Sequence, residues 1–140
     1  MQWDASPHAG FTTGTPWIAV NPNYRQVNAA AQVDDPASVF AHYRRLIALR
    51  HDEPVVAHGD FTMLLPDDDV VYAFTRRLPD DPRGDVELLV LGNFSGTAAH
   101  VDVPGWAGAE VVLGNYPDTP SDPGSLRPWE ATVHRRVHPG

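Results

Sequence analysis

Aspartates are the side chains in this sequence with the most scope for acid–base chemistry, and many of them fall into three short clusters. The clusters are Asp34-Asp35, the run Asp67–Asp69, and Asp80-Asp81. A calcium loop needs ligands at alternating positions and a glycine at its sharp turn, and the middle run lacks both. A catalytic carboxylic acid needs an apolar pocket that raises its pKa, whereas each cluster lies among turn-forming residues. We therefore interpret the clusters as solvated turns and a helix cap, and we expect no catalytic residue and no metal site among them.

The remaining polar residues give no catalytic pattern either. The chain has seven histidines and no cysteine. His134 and His138 are four residues apart, but they lie in a predicted strand and a tail, where helical spacing means little. No serine has the context of a nucleophile elbow, and there is no glycine-rich nucleotide-binding motif. We expect no metal and no cofactor.

Trp106, Tyr116 and Trp129 lie near the ends of predicted strands or in loops. Aromatic rings of this kind can line sugar sites, so Trp106 and Trp129 are candidates for a small carbohydrate-stacking platform. The same residues would also serve as hydrophobic core or as an interface with another domain, and we favour that interpretation. Both interpretations stay open at this point.

Composition limits the size and class of the protein. At 140 residues the chain has room for one domain, or one small domain with an appendage, and it is too short for a (β/α)8 barrel of about 250 residues. Its net charge of −8 would repel phosphate backbones, so we expect no nucleic-acid partner. No apolar run approaches the ~20 residues of a membrane helix and no signal peptide is visible, so we expect no membrane partner and a cytoplasmic location.

The elements that must position these side chains change in type along the chain. Residues 1–33 are rich in proline, glycine and asparagine and predict a long irregular loop, whose large apolar side chains must pack on something. Residues 36–50 predict one α-helix, capped by Asp35, with Pro36 in its first turn and Pro54 preventing its continuation. Three- and four-residue spacing gives this helix an apolar face: Val39, Phe40, Tyr43, Leu46 and Ile47.

From about residue 55 the pattern changes to short strands separated by polar turns. The predicted strands are Val55–His58, Asp60–Leu65, Val70–Leu78, Val86–Phe94, Ala98–Val103, Ala109–Leu113 and Ala131–Val137. Residues 79–84 predict a turn, and residues 114–130 predict a long loop. The predicted fold class is therefore mainly β: an antiparallel β-sandwich preceded by an irregular loop and one α-helix.

Five segments, in order, resemble segments of glycoside hydrolase family 13 α-glucosidases, above all the oligo-1,6-glucosidase branch. They are Met1-Gln2-Trp3-Asp4 with Gly10 to Trp17, then Val20 to Tyr24, then Ser38-Val39-Phe40 with Tyr43 to Arg50, then Leu91 to Ser95, and finally Leu126 to Ala131. Together these landmarks extend over nearly the whole chain. Five landmarks in order are far more specific than any one of them alone.

The resemblance implies that residues 1–52 are the tail of a truncated (β/α)8 barrel and that residues 53–140 are its C-terminal β-sandwich. The family's catalytic Asp and Glu and its second Asp come from upstream strands, so none of them is carried over to this chain. The chain begins at the motif's own Met1, which suggests an internal start or a gene broken upstream. In a full-length parent, Gln2, Trp3 and Asp4 would shape the sugar site from a loop after the last barrel strand, or would only pack that loop.

The function expected from the resemblance is that of a non-catalytic C-terminal fragment of an α-glucosidase acting on short α-glucosides, inactive on its own. Its partners would then be the missing barrel domain and, in the parent, an α-glucoside or oligosaccharide. Two alternatives remain: a free-standing carbohydrate-binding module, and a fragment of a related trehalose synthase or transglycosylase. The linkage that the parent prefers does not follow from the sequence.

Overall fold

The computed structural model describes residues 1–118 and 121–138 and separates into two compact units, one from Met1 to Arg45 and one beginning at Leu46. This division falls inside a helix. The domain boundary between residues 52 and 53 stays a prediction.

The first unit consists of short helical pieces joined by irregular chain. Two 3-10 turns, Pro7–Gly10 and Pro22–Arg25, precede helix α1 (Ala29–Val33). Asn28 caps α1, because its Oδ1 accepts a hydrogen bond from the Ala31 N–H at 2.9 Å. The loop predicted for residues 1–33 is therefore irregular apart from the two 3-10 turns, but its last five residues form a helix that the prediction omits.

Helix α2 (Val39–Asp52) is the predicted long helix, shifted toward the C-terminus. Ser38 Oγ accepts from the Ala41 N–H at 3.1 Å and so caps the helix, whereas Asp35 Oδ1 accepts from Ala37 N–H in the preceding turn. The predicted cap at Asp35 is therefore wrong. Ala41 is the buried residue of this helix, whereas the five side chains of the predicted apolar face are exposed.

The second unit begins with the end of α2 and helix α3 (Pro54–His58). The strand predicted over Val55–His58 is wrong, and so is the expectation of a single helix. Pro54 occupies the first turn of α3, where no N–H is needed, and Val55 is fully buried against Val86 and Leu88.

The rest of this unit is antiparallel sheet, which confirms the mainly β prediction. Five strands pair in the order β1-β2-β3-β7-β5, and β4 pairs with β6 in a small second sheet. The strands are β1 (Asp60–Met63), β2 (Val71–Asp81), β3 (Gly84–Asn93), β4 (Ala99–His100), β5 (Glu110–Gly114), β6 (Ser125–Leu126) and β7 (Ala131–His138). Strand β6 interrupts the predicted 114–130 loop, of which residues 119 and 120 lie outside the described residues.

Side chains of the five-stranded sheet point alternately to two faces, which we call inner and outer. On the inner face, Ala73, Leu89 and Leu91 form a core cluster with Trp106 and with Leu126 of β6. On the outer face, Val86 and Leu88 pack under α3. No helix among the described residues is long and apolar enough to cross a membrane.

Candidate functional site

The three predicted site residues Gln2, Trp3 and Asp4 form an extended segment held by backbone hydrogen bonds on both sides. The N–H groups of Trp3 and Asp4 donate to the Ala9 carbonyl at 2.9 and 3.3 Å. The carbonyls of Gln2 and Trp3 accept from the N–H groups of Ala29 and Ala30, both at 2.8 Å. Those two N–H groups open helix α1 and have no partner within it, so the segment satisfies the helix start.

Gln2 is further fixed through its side-chain amide. Its Nε2 donates to Asn23 Oδ1 at 3.3 Å and to the Val27 carbonyl. In this arrangement the Gln2 side chain joins the opening segment to the chain that leads into α1. Its amide nitrogen is engaged within the unit.

Asp4 has a carboxylate held in one orientation by a local turn. Its Oδ1 accepts from the Ser6 N–H at 2.8 Å and from Ser6 Oγ at 2.5 Å. These hydrogen bonds, the hydroxyl one foremost, lower the pKa of Asp4. The group is therefore ionised at neutral pH and can accept hydrogen bonds from a ligand, whereas a general acid would need a raised pKa.

The chain reaches Asp4 through an unusual backbone turn. His8, Ala9 and Gly10 all have positive φ, at 58°, 57° and 65°. This left-handed run aims the Ala9 carbonyl at the N–H groups of Trp3 and Asp4. Sequence reasoning missed this turn and Ser6; the Asp-x-Ser spacing of Asp4 and Ser6 is the local signal that indicates such a side-chain-to-backbone turn.

Large aromatic side chains around the segment are open to solvent. Trp3 and Phe11 are exposed, and Trp17 is 94% exposed. The apolar groups of this segment are expected to pack on another surface, but among the described residues at least half of the surface of each of these three side chains is uncovered. Among the described residues, no group of three or more His, Asp or Glu side chains is placed to hold a metal ion.

The two tryptophans considered for sugar stacking lie in opposite environments. Trp106 is only 4% exposed, and the guanidinium carbon of Arg136 lies 4.2 Å from the centre of its ring. Trp129 is 62% exposed and has φ = 57°, a conformation that a bulky residue rarely adopts. The Trp129 backbone is fixed by its N–H donating to the Ser95 carbonyl at 3.0 Å and by its carbonyl accepting from Asn115 Nδ2 at 2.7 Å.

Two of the sequence landmarks meet at Asn93, which is buried. Its Nδ2 donates to the carbonyls of Thr97 at 2.7 Å and Arg127 at 2.9 Å, and its Oδ1 accepts from Ser95. Arg127 in turn donates to the buried Glu130 through its N–H, Nε and Nη2. Burial raises the pKa of Glu130, but the hydrogen bonds and charge of Arg127 outweigh it and the pKa is lowered. These landmarks therefore serve as structural supports within the segment.

Sequence reasoning also missed a buried ion network centred on Glu53, between α2 and α3. Arg83 donates to Glu53 at 2.8 and 3.1 Å and to Asp81 at 2.8 and 2.9 Å, and Arg135 also donates to Glu53. Burial raises the pKa of Glu53, but Arg83 and Arg135 lower it by more. The partners lie up to 82 residues apart in sequence, so only the fold brings them together.

Comparison with known proteins places these features in a family. The family model described as the α-amylase catalytic domain matches residues 1–59. The chain is 40% identical over 141 residues to the oligo-1,6-glucosidase of Parageobacillus thermoglucosidasius, covering 96% of this chain and 24% of that protein. It is 39% identical over 146 residues to the trehalose-6-phosphate hydrolase of Bacillus subtilis, covering 99% of this chain and 25% of that protein.

Solved structures also match nearly the whole of this chain. A trehalose-6-phosphate hydrolase from Bacillus licheniformis matches 98% of this chain with a TM-score of 0.88 and 34% identity, over 25% of its own length. An isomaltulose synthase variant from Erwinia rhapontici NX5, crystallised with sucrose, matches 96% of the chain with a TM-score of 0.84 and 40% identity. The chain belongs to glycoside hydrolase family 13. It spans about a quarter of the length of the relatives it matches.

Proposed function

We propose that this chain is the non-catalytic C-terminal segment of an α-glucosidase that acts on short α-linked glucosides, and that it has no glucosidase activity alone. The observation that carries the proposal is its coverage: an oligo-1,6-glucosidase matches 96% of this chain with only 24% of its own length. Hydrolysis with retention needs two carboxyl groups about 5 Å apart across the glycosidic bond. The buried carboxylates described above are each held by arginines, and their lowered pKa values do not suit a general acid.

Within such a parent, we assign residues 1–52 to the end of the barrel and residues 53–140 to a β-sandwich. The sandwich is supported by the inner-face cluster, which joins Ala73 and Leu91 of the large sheet with Leu126 of the small one. The boundary is supported by the family model, which ends at residue 59, close to residue 52.

The outer face of the large sheet is the surface that we propose packs against the rest of the parent. Helix α3 covers this face around Val86 and Leu88, and elsewhere the face carries the exposed rings of Phe61 and Tyr72. Phe74 lies 5.1 Å from Phe61 and 5.4 Å from Tyr72, measured between ring centres. An open aromatic patch of this kind is typical of an interface. The three quarters of the relatives' length that lie outside the match are the partner that we propose for it.

We further propose that Gln2, Trp3 and Asp4 contribute to the sugar site of the parent. Support comes from the ionised Asp4 carboxylate, fixed by Ser6, and from the exposed ring of the preceding residue, Trp3. A carboxylate locked in orientation loses little conformational entropy when it binds a sugar hydroxyl. Trp3 would offer an exposed apolar surface in the same segment.

The test is a chimera in which this chain replaces the matching quarter of the P. thermoglucosidasius oligo-1,6-glucosidase. We expect the chimera to release glucose from isomaltose and the 140-residue chain alone to release none. Activity of the purified chain alone, or a folded chimera without activity, would overturn the proposal.

In the active chimera, Asp4→Asn should lower kcat/KM by about tenfold, the contribution of one hydrogen bond to a charged group. The control Asp69→Asn, in an exposed turn, should leave kcat/KM unchanged.

A second candidate function, carbohydrate binding by the free chain, is favoured by one observation. Trp129 is an exposed ring held in a rare backbone conformation by two hydrogen bonds, and such strain is often retained at functional sites. Titration with maltose or isomaltose tests it: binding that is lost in Trp129→Ala would support a free-standing module. Binding unchanged by that substitution would exclude Trp129 as its platform.

The parent could also be a transglycosylase rather than a hydrolase, since isomaltulose synthases match this chain as well as hydrolases do. Isomaltulose formed from sucrose by the chimera would favour that alternative. A cytoplasmic location, and the lack of nucleic-acid and membrane partners, stay predictions from the sequence.

A further inference from the structure

One cavity in the second unit is unlike the apolar surfaces described so far. It has a volume of about 480 Å³, within the size range of small-molecule sites. It lies on the inner face of the large sheet and is walled by Trp106 and the chain around Pro104. Apolar side chains such as Leu65 and Val103 share its lining with charged and hydroxyl groups.

The polar groups of the cavity come from positions directly opposite each other in four neighbouring strands. Thr62 of β1 faces Thr75 of β2, Arg77 of β2 faces Glu87 of β3, and Glu87 faces Arg136 of β7. Strand register therefore places these groups on one face of the sheet, in two adjacent rows. Sites built on strands hold their geometry better than sites built on loops.

The ion pairs of this row leave hydrogen-bonding atoms for a ligand. Arg136 uses Nε and Nη2 to reach Oε2 of Glu87, at 2.9 and 2.6 Å. Arg77 donates from Nε and Nη2 to Asp85. Within the described residues, Glu87 Oε1 and Arg77 Nη1 make no hydrogen bond, although the Glu87 side chain is only 12% exposed. Two residues of the cavity lining thus keep hydrogen-bonding atoms available: Glu87 an acceptor and Arg77 a donor.

We propose that this cavity binds a neutral, polyhydroxylated ligand of the size of a mono- or disaccharide. Each hydroxyl group of such a ligand is both donor and acceptor, which matches a site offering a carboxylate oxygen, a guanidinium N–H and two threonine hydroxyls. The apolar lining suits the C–H faces of the ligand. An anion fits poorly, because Arg77 and Arg136 already neutralise Asp85 and Glu87, and Asp102 adds a further negative charge to the lining.

The proposal is tested on the complete 140-residue chain by two-dimensional NMR titration with glucose, maltose and glucose 6-phosphate. We expect glucose or maltose to shift the indole N–H signal of Trp106 and the side-chain N–H signals of Arg77 in a saturable way. Glucose 6-phosphate should bind more weakly than glucose. Preferential binding of the phosphate ester, or shifts confined to other tryptophans, would overturn the assignment.

Two pairs of variants locate the site. Glu87→Gln removes the charge of the acceptor and should weaken binding about tenfold, whereas Glu110→Gln, a carboxylate paired with Arg135 and outside the cavity lining, should not. Thr62→Tyr places a ring in the cavity from an exposed edge strand and should abolish binding, whereas Thr15→Tyr should leave it unchanged. Binding that survives Thr62→Tyr in a folded chain would exclude this cavity. The readout needs no glucosidase activity, so it is independent of the chimera experiment.

Discussion

A Cβ atom at Gly10 would lie 2.7 Å from Oδ2 of Asp4, closer than side-chain carbons come to their neighbours. Gly10 also has φ = 65°, so two separate constraints require glycine here. The carboxylate of Asp4 therefore owes its position partly to a residue that has no side chain.

Gly10→Ala should destabilise the first unit by about 1–3 kcal/mol, because the new methyl group meets both the left-handed backbone and the Asp4 carboxylate. Amide hydrogen exchange at Trp3 and Asp4, whose N–H groups bond Ala9, would report the loss as faster exchange. Gly14→Ala is the matched control, since its nearest neighbour would be Thr12 Oγ1 at 3.6 Å. Equal exchange rates in the two variants would contradict this explanation.

Glu53→Gln should lower the free energy of unfolding by about 1–3 kcal/mol, because two arginines lose a largely buried charged partner. Glu110→Gln removes another carboxylate that pairs with Arg135, but one whose side chain is 61% exposed. The second change should cost less than about 1 kcal/mol, as for surface ion pairs. Urea titration followed by circular dichroism compares the two, and a larger loss for Glu110→Gln would refute the ranking.

Acid should destabilise the second unit through its paired carboxylates. Hydrogen bonds from Arg83 lower the pKa of Asp81 from 3.8 to about 2. Because the unfolded chain then binds more protons, the stabilisation by Asp81 is complete above 3.8 and is lost as the pH falls toward 2. Glu53 and Glu130, whose pKa values are also lowered, contribute in the same direction. The midpoint temperature of thermal unfolding should fall less steeply between neutral and acidic pH in Asp81→Asn than in the unchanged chain. Identical slopes would show that Asp81 does not cause the loss of stability in acid.

Ser38→Ala should destabilise α2 by about 1 kcal/mol, because the Ala41 N–H loses its cap. Asp35→Ala removes only the acceptor for the Ala37 N–H in the turn before the helix and should destabilise α2 less. Helix content from far-ultraviolet circular dichroism, followed during thermal unfolding, distinguishes the two positions. A larger effect at Asp35 would restore the cap predicted from the sequence.

Most long elements were predictable because a strong hydrophobic pattern determines them. The central strand β3 and the body of β2 follow from their apolar runs, and α2 follows from its helical spacing. The errors lie where two local signals compete. The β-branched pair Val55-Val56 predicts a strand, yet Pro54 starts a short helix that buries Val55.

Strand β2 shows a different limit. Pro79 predicts a turn, but β2 continues to Asp81. Strand β1 pairs with β2 only as far as Arg77, and the pairing with β3 shifts between Leu78 and Asp81. Pro79 therefore occupies an unpaired stretch, where a missing N–H costs little. Strand β6 has only two residues and no pattern from which to predict it.

For the candidate site, sequence similarity identified the opening segment but not what holds it. The Asp4–Ser6 turn has a local signature, whereas the bonds from Gln2 and Trp3 to the start of α1 join residues 27 positions apart. The cavity was also invisible in the sequence, because Thr62, Glu87 and Arg136 come to line one cavity only through the pairing of four strands.

The consecutive arginines of β7 engage opposite sides of the sheet: Arg135 reaches Glu53 and Glu110, and Arg136 reaches Glu87. Slippage of β7 by a single residue would turn each guanidinium to the opposite side, so that either Glu87 or Glu110 would lose its counter-charge, whereas Arg83 would still pair with Glu53. The two arginines therefore disfavour pairing of β7 in the wrong register during folding. Replacing either arginine with a neutral residue should allow β7 to pair in alternative registers. The sheet itself should still form.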